Sequence, residues 1–175
     1  MPDILYDVAV SADGYICGPE ADISAFPAEG PHADAYFARV ASYGTVLMGR
    51  RTYEFGYAFG LPVGANPYPH AEGLVFSTSI DLPDGAAVSV VRKDWRARIE
   101  ALKTAATAEI YLCGGGAFAG WMLDQGLIDR LRLKRAPVVL GGGVPLFGAS
   151  AKPVAGTVIA SETWPNGVAY CEVCL

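Results

Sequence analysis

The sequence has little charge and little histidine. Charged residues make up 18% of the 175 residues, and 13 Lys and Arg against 18 Asp and Glu leave a net charge of −5. Such a chain lacks the positive field that attracts a phosphate backbone, so we expect no nucleic-acid partner. The only histidines, His32 and His70, lie in or beside loop-like segments and no G-x-S-x-G motif accompanies them. This argues against a Ser-His-Asp hydrolase.

Long apolar runs are also absent. No stretch of about 18 apolar residues is present, so we expect no membrane span. The first residues do not form a basic leader before an apolar segment, which favours a cytoplasmic protein without a signal peptide. Cysteine is scarce: Cys17 and Cys113 are isolated, and Cys171 and Cys174 lie in a segment that alternates like a strand. Positions three apart on a strand point to opposite faces, so we expect structural thiols and no metal site.

Strand-like and helix-like segments alternate along the chain. Strands are predicted over 4–10, 45–48, 74–77, 88–91, 110–113, 127–136, 157–161 and 168–173. Helices are predicted over 33–42 and 117–125, with a short one after Gly49 and another capped by Asp94. This order predicts a single α/β domain over 1–175, with a mostly parallel sheet between helices on both faces. Asn166-Gly167 predicts a closing antiparallel hairpin.

One glycine-rich turn follows a predicted strand and opens a helix. It comprises Gly114, Gly115, Gly116, Ala117 and Phe118. Free backbone N–H groups and the helix dipole at such a turn can bind a phosphate, although a tight turn without a ligand remains the alternative. The turn also fits the Rossmann fingerprint G-x-G-x-x-A. A Rossmann fold is disfavoured because the turn lies late in the chain and no ribose-binding acid follows on the next strand.

A second turn of this kind comprises Gly49, Arg50, Arg51 and Thr52. Cations are unfavourable at a helix N-terminus, and a bound anion would remove that conflict. Ser77 and Thr78 add hydroxyls at the end of a third strand, where a simple Ser/Thr turn is the alternative. Two anion-receptive turns favour a dinucleotide, and arginines suit the extra phosphate of NADP. A third basic group, Arg130, Arg132, Lys134 and Arg135, is interpreted as a solvated face.

Four segments carry a family resemblance. Residues 46–54 (VLMGRRTYE) and 110–116 (IYLCGGG) resemble dihydrofolate reductases, whereas 11–16 (SADGYI) and 138–147 (VVLGGGVPLF) are similar to the reductase domain of the riboflavin-biosynthesis deaminase-reductase. The four motifs occur in the family's order and span nearly the whole chain. The resemblance implies a dihydrofolate-reductase-like three-layer fold and an enzyme that transfers hydride from NADPH.

The resemblance also implies where NADPH would bind. Its phosphates would contact Gly49, Arg50, Arg51 and Thr52, with Ser77 and Thr78 at the adenosine-ribose phosphate and Arg92 beside the adenine. Its pyrophosphate and nicotinamide side would contact Gly114, Gly115, Gly116, Ala117 and Phe118. The 11–18 loop would cover the nicotinamide, and its Asp13 either fixes the turn or touches substrate as the candidate catalytic residue.

The sequence departs from dihydrofolate reductases at the carboxylate residue that binds the substrate. That family places this residue four positions before a phenylalanine. Here Ala33 stands four residues before Phe37, and Asp34 stands three residues before it. One residue rotates a side chain by about 100° around a helix, so Asp34 is expected to point away and dihydrofolate is not the expected substrate. The expected activity is NADPH-dependent reduction of a small pterin-like or ribosylaminopyrimidine-like heterocycle. The alternative is a non-catalytic NADP(H)- or nucleotide-binding protein of the same fold.

Two segments predict a homodimer. The 56–73 segment is too long for an ordinary connector and is rich in Gly, Pro and Tyr, which favours a packed lid or an interface. The C-terminal hairpin leaves an exposed sheet edge unless something covers it.

Overall fold

The computed structural model describes residues 1–175 and contains ten strands and four α-helices. The strands are β1 (Ile4–Val10), β2 (Tyr15–Cys17), β3 (Thr45–Gly49), β4 (Glu72–Phe76), β5 (Ser89–Val91), β6 (Ile110–Gly114), β7 (Arg130–Arg135), β8 (Val144–Pro145), β9 (Thr157–Thr163) and β10 (Ala169–Cys174). The helices are α1 (Pro31–Val40), α2 (Arg50–Phe55), α3 (Trp95–Ala105) and α4 (Gly116–Asp124). The predicted alternation of strands and helices is confirmed.

Eight strands form one sheet in the order β5-β4-β3-β6-β1-β7-β10-β9. The first six are mutually parallel, whereas β10 pairs antiparallel with both β7 and β9. The hairpin turns at Asn166-Gly167, where Gly167 adopts a φ of +84° that glycine tolerates readily. The predicted mixed sheet with an antiparallel C-terminal hairpin is therefore confirmed.

Alternation along β1 separates the two faces of the sheet. Ile4 and Tyr6 point into a core shared with Ile99 and Leu102 of α3 and with Met122 of α4. The opposite face is covered by α1, α2 and the 56–73 segment, which contribute Val40, Tyr36, Tyr53, Tyr57, Leu61 and Tyr68 to the second core. Helices thus cover both faces, and the fold is the predicted three-layer arrangement.

The two glycine-rich loops of the sequence are joined by a pairing that the sequence analysis did not anticipate. Strand β2, within the predicted 11–18 loop, pairs antiparallel with β8. Gly143 permits this approach, because a Cβ there would lie 2.0 Å from the carbonyl oxygen of Cys17. This small sheet fixes the 11–18 loop to the 138–147 segment.

Three local predictions need correction. Strand β7 begins at Arg130 and not at 127, because Leu127 and Ile128 pack into the core before pairing starts. Asp94 occupies the position before α3 in a left-handed conformation (φ 53°) and makes no side-chain capping bond. The helix predicted over 33–42 lies two residues earlier in the structure, since α1 begins at Pro31 and ends at Val40.

Only Arg135 of the basic group on β7 is solvent-exposed, so the interpretation of this group as a solvated face needs correction. Arg132 and Lys134 are buried, and Arg130 pairs with Asp3 at 2.5 Å. The cations alternate with Leu131 and Leu133, whose side chains lie on the other face of the sheet, in the core with Ile4 and Tyr6. Because β7 is buried on both faces, the charges on its polar face must be paired and cannot simply be solvated.

The 56–73 segment packs against the sheet. The buried Tyr53 hydroxyl accepts from the Gly64 N–H (2.9 Å) and donates to the Ala65 carbonyl (3.0 Å). Farther along, the Tyr68 hydroxyl lies 3.3 Å from the Cys113 sulfur. Phe59 is 68% exposed. None of the four helices is long enough and apolar enough to cross a bilayer.

Candidate cofactor and substrate site

Four predicted binding segments lie in a row at one edge of the sheet. They follow the C-terminal ends of the adjacent parallel strands β5, β4, β3 and β6. The register pairs Val91 with Phe76, Phe76 with Gly49, and Met48 with Gly114, so the four ends lie side by side. At about 4.8 Å between strands, the row extends about 14 Å. Ligands of open α/β sheets bind outside such carboxyl ends.

The two glycine turns of this row touch each other. A Cβ on Gly49 would lie 3.1 Å from the Cβ of Phe118, and a Cβ on Gly115 would lie 2.9 Å from the Thr52 hydroxyl oxygen. Helices α2 and α4 begin at these turns, and the first N–H groups of a helix have no partner within it. The structure therefore places the N-termini of two helices next to each other.

Parts of the second turn also serve packing. A Cβ on Gly116 would lie 2.2 Å from the Pro145 carbonyl oxygen, so Gly116 lets α4 approach the β8 segment closely. The Phe118 ring stacks on Phe76 (centroids 4.8 Å apart) and is buried. Only the backbone of Phe118 is therefore available to a ligand. The Gly114-Gly115 peptide bond is cis.

The two arginines of the first turn have different surroundings. Arg50 pairs with Glu54 at 2.8 Å and donates to the Ser79 hydroxyl at 2.9 Å. Arg51 is exposed and forms no ion pair. The carboxylate of Glu54 already offsets part of the unfavourable position of Arg50, which the i,i+4 spacing in the sequence could have indicated. Arg51 is the cation of this turn that remains for a ligand.

Ser77 acts as a turn-forming residue. Its hydroxyl is buried and accepts hydrogen bonds from the N–H groups of Ser79 (3.2 Å) and Ile80 (3.0 Å). This is the turn noted as the alternative for the sequence. The Ser77 O–H can still donate, so a phosphate contact of Ser77 stays a prediction. The side chain of Thr78 is exposed, so a phosphate contact stays a prediction for that residue.

The outer end of the row is basic. Arg92 directly follows β5. The residue before it, Val91, accepts a hydrogen bond at its carbonyl from the Ser77 N–H (3.1 Å). Arg92, Lys93 and Arg98 line an open groove of about 560 Å³ together with Asp94. The position of Arg92 at this end is compatible with the adenine side that the family resemblance implies.

Asp13 links two loops. One carboxylate oxygen accepts from the Ser11 hydroxyl (2.6 Å) and the Leu140 N–H (3.1 Å), and the other accepts from the Gly141 N–H (2.8 Å). The Ser11 hydroxyl, followed by these two amides, lowers the pKa of Asp13 to about 2. An ionised carboxylate at neutral pH cannot donate a proton. The structure favours the turn-fixing role, and a substrate contact stays a prediction.

The carboxylate of helix α1 is not held by another side chain. Asp34 is exposed in the first turn and its side chain forms no hydrogen bond, and Phe37 is 64% exposed. That Asp34 points away from the site stays a prediction. His32, in the same turn, is buried and lies 2.9 Å from the Asn166 amide nitrogen and 3.0 Å from the Pro27 carbonyl. His32 therefore tethers the loop before α1 to the hairpin turn.

A buried charge cluster was missed by the sequence analysis. The Asp7 carboxylate of β1 accepts from Arg39 Nε of α1 (2.7 Å) and from Lys134 Nζ of β7. Although burial alone would raise it, the pKa of Asp7 is held below its usual value by Lys134 and Arg39. The only sign in the sequence was one acid and one lysine, each on a predicted strand of mostly apolar residues. Their pairing could not be inferred without the order of the strands in the sheet.

A family comparison agrees with this architecture. Residues 2–170 match the model of the RibD C-terminal domain. The chain belongs to that family. Two proteins of Bacillus subtilis (strain 168), both named as uncharacterized, are similar to it. YwjB is 32% identical over 147 residues, covering 82% of this chain and 81% of YwjB; YyaP is 26% identical over 176 residues, covering 94% and 90%.

Solved structures share the fold. A protein of Shewanella sp. PV-4 named for riboflavin biosynthesis superposes with a TM-score of 0.83 at 27% identity, covering 99% of this chain and 98% of the other. The deaminase/reductase of Thermotoga maritima (diaminohydroxyphosphoribosylaminopyrimidine deaminase and 5-amino-6-(5-phosphoribosylamino)uracil reductase) gives 0.73 at 15% identity. That superposition covers 99% of this chain and 56% of the longer Thermotoga protein. The dihydrofolate-reductase-like fold of the RibD reductases is thereby established for this chain.

Proposed function

We propose that this protein is an NADPH-dependent reductase of a small heterocycle, pterin-like or ribosylaminopyrimidine-like. The observation that carries the proposal is the row of four adjacent strand ends, which gathers two helix N-termini, hydroxyls and exposed arginines along about 14 Å. The family and the fold support a reductase. When bound, NADPH would supply the hydride, so the protein is required mainly to bind and orient.

The residues of the row fit a dinucleotide with several phosphates. Gly49 and Gly115 allow the two turns to approach where a Cβ would crowd Phe118 and Thr52, so the first N–H groups of α2 and α4 lie close together. Backbone N–H groups of this kind bind phosphate. Arg51 would bind phosphate directly, whereas Arg50 would do so while held by Glu54 and Ser79. Arg92 would flank the adenine.

The substrate would lie next to the nicotinamide end of the row, under the 11–14 loop. Asp13 fixes this loop to residues 140–141 through the backbone amides. The β2–β8 pairing braces the same loop. These contacts would hold the loop over the substrate and exclude water from hydride transfer.

Two measurements on the purified protein test the proposal. Titration with NADPH, followed by nicotinamide fluorescence, should show saturable binding. NADPH oxidation should then be detected with at least one member of a panel of pterins, ribosylaminopyrimidines and quinones. Saturable binding with no oxidation by any compound would favour the non-catalytic nucleotide-binding alternative. Absence of NADPH binding would overturn both.

We also propose that the protein forms a homodimer through its hairpin edge. All seven residues of the edge strand β9 are exposed, including Val158 (59%) and Ile159 (53%). An exposed edge strand with apolar side chains is a template for pairing with another chain. A second copy would cover both the unpaired backbone groups and the apolar side chains.

A further inference from the structure

The charge cluster of Asp7, Arg39 and Lys134 has one more cation than it has carboxylates. The Asp7 side chain has no exposed surface, and Arg39 and Lys134 approach its two oxygens from opposite elements. Each buried ion requires close compensation, and the two cations share one carboxylate. Arg39 keeps 21% of its side chain in solvent and lies over the Tyr170 ring (5.2 Å), so Lys134 is the buried cation that shares its counterion.

Both cations of the cluster have unused N–H donors, and Lys134 is the more deeply buried of the two. An ammonium group has three N–H donors, and the only hydrogen bond that Lys134 makes is to Asp7. Its nitrogen lies 4.0 Å from the centroid of the Tyr36 ring. The Lys134 side chain keeps 6% of its surface exposed, so the lysine lies between Asp7 and the outside.

The cluster lies beside the proposed nicotinamide end of the row. The β1–β6 register pairs Tyr6 with Leu112, which puts Asp7 next to Cys113, the residue before Gly114. Lys134 pairs with Ala9 near the C-terminal end of β1, just before the Ser11–Gly14 turn. Asp7 and Lys134 are therefore one and two strands beyond the strand that ends at the glycine turn, and Lys134 pairs two residues before the loop proposed to cover the substrate.

The Tyr36 ring that lies against Lys134 belongs to a cluster of tyrosines. The hydroxyls of Tyr36 and Tyr111 are 2.8 Å apart, and that of Tyr111 donates to the Asp7 carbonyl (3.3 Å). Tyr68 approaches Tyr111 edge-on, with ring centroids 5.9 Å apart. Tyrosine rings pack favourably against planar rings. Asp7 and Asp13 are engaged in hydrogen bonds, and Asp34 is exposed.

We propose that Lys134 is a specificity-determining residue, which donates a hydrogen bond to a carbonyl oxygen of the substrate ring. This inference rests on the proposed function. A donor at Lys134 selects substrate rings with a hydrogen-bond acceptor facing it and disfavours rings with an amino or amidinium group there. An ammonium cannot accept a hydrogen bond and repels a protonated ring. The ring preference is therefore opposite to that of a site whose carboxylate binds an amino-substituted pteridine.

The test uses two probes that differ only at the exocyclic groups, 2,4-dioxopteridine and 2,4-diaminopteridine. Their binding to the protein without NADPH is measured by calorimetry at about pH 6.5. Burial lowers the pKa of Lys134 to about 8, against the opposing effect of Asp7, so the amine is protonated there. We expect the dioxo compound to bind at least about tenfold more tightly, the effect of one charge-assisted hydrogen bond.

Lys134→Met should remove about tenfold or more of the dioxopteridine affinity and leave that of the diamino compound unchanged or improved. Lys103→Met is the matched control, because Lys103 is also ion-paired, with Asp129 at 2.5 Å, but lies on α3 on the other face. It should alter neither affinity. Equal losses for both probes in Lys134→Met would show a packing effect and overturn the inference.

The wild-type comparison decides the question even where Lys134→Met fails to fold. Equal affinities, a preference for the diamino compound, or no binding of either probe would overturn the role of Lys134. Retained NADPH binding in that case leaves the proposed function standing. Preferential dioxopteridine binding by a protein that does not bind NADPH would instead overturn the proposed function and leave the inference on Lys134 in place.

Discussion

Gly49 and Phe118 lie in contact where the turn after β3 meets the first turn of α4. A Cβ on Gly49 would come within 3.1 Å of the Phe118 Cβ, closer than side chains normally pack. Phe118 cannot yield readily, since its ring is stacked on Phe76 and meets Trp95 edge-on. The relative position of the two turns, and hence of the proposed phosphate site, depends on this missing side chain.

Gly49→Ala should therefore weaken NADPH binding. Overpacking typically costs about 1–3 kcal/mol, and the two turns should separate to accommodate the methyl group. The dissociation constant for NADPH and the midpoint of thermal unfolding are both measured. Gly142→Ala serves as the control, because nothing lies within 4 Å of a Cβ there. Unchanged NADPH affinity in a destabilised Gly49→Ala protein would show that the turns do not hold the cofactor.

Arg51→Ala should narrow the preference for NADPH over NADH. We expect the wild-type protein to prefer NADPH by about tenfold or more, the worth of one charge-assisted contact to the extra phosphate. Arg51 is exposed without an ion pair, so its loss should reduce NADPH affinity and leave NADH affinity unchanged. Fluorescence titrations with both nucleotides measure this. Arg96→Ala, at an exposed arginine paired with Glu100, should leave both constants as they are.

Dihydrofolate should be a poor substrate. Ala33 stands where dihydrofolate reductases carry their carboxylate, and Asp34 is exposed in the first turn of α1. Turnover of dihydrofolate at about 1 s⁻¹ or faster, a common enzymatic rate, would contradict this. Asp34→Asn should leave the rate on the protein's own substrate unchanged. A large decrease would instead assign Asp34 to the site.

Asp13→Ala should loosen the 138–141 segment. The loss of the carboxylate leaves the N–H groups of Leu140 and Gly141 without their acceptor, so their hydrogen exchange should accelerate. Because the folded-state pKa of Asp13 is lowered to about 2 from the usual 3.8, its contribution is complete above pH 3.8 and is lost as the pH falls through about 2. Asp22→Ala, which affects only the nearby Ser24, should not alter exchange at 140–141. Unchanged protection in Asp13→Ala would contradict the loop-fixing role.

Light scattering at micromolar concentration should give the mass of two chains. Replacing both Val158 and Ile159 by Glu on β9 should reduce it to one chain of 18.4 kDa. Phe59→Ser provides a comparison, because Phe59 is 68% exposed in the 56–73 segment. Dissociation by Phe59→Ser alone would place the interface on that segment. A wild-type mass of one chain, stable to dilution and salt, would refute the dimer.

The sequence by itself determined the order of helices and main-sheet strands, the sheet class and the closing hairpin, but not the small β2–β8 pairing. These features rest on local signals: alternation in β1, helical spacing of Ile99 and Leu102, and the Asn166-Gly167 turn. It also located the turns at Gly49 and Gly114, because a glycine between a predicted strand and a predicted helix is a signal in the local sequence. Family resemblance supplied the ligand expected there.

Only the tertiary structure decided which side chains meet. Asp7 and Lys134 are 127 residues apart, and their contact depends on β1 and β7 being neighbours in the sheet. The same is true of Asp13, whose acceptor role depends on amides at 140 and 141. Ion pairs and hydrogen bonds act over a few ångströms, so a sequence pattern cannot assign their partners until strand order and register bring distant segments together.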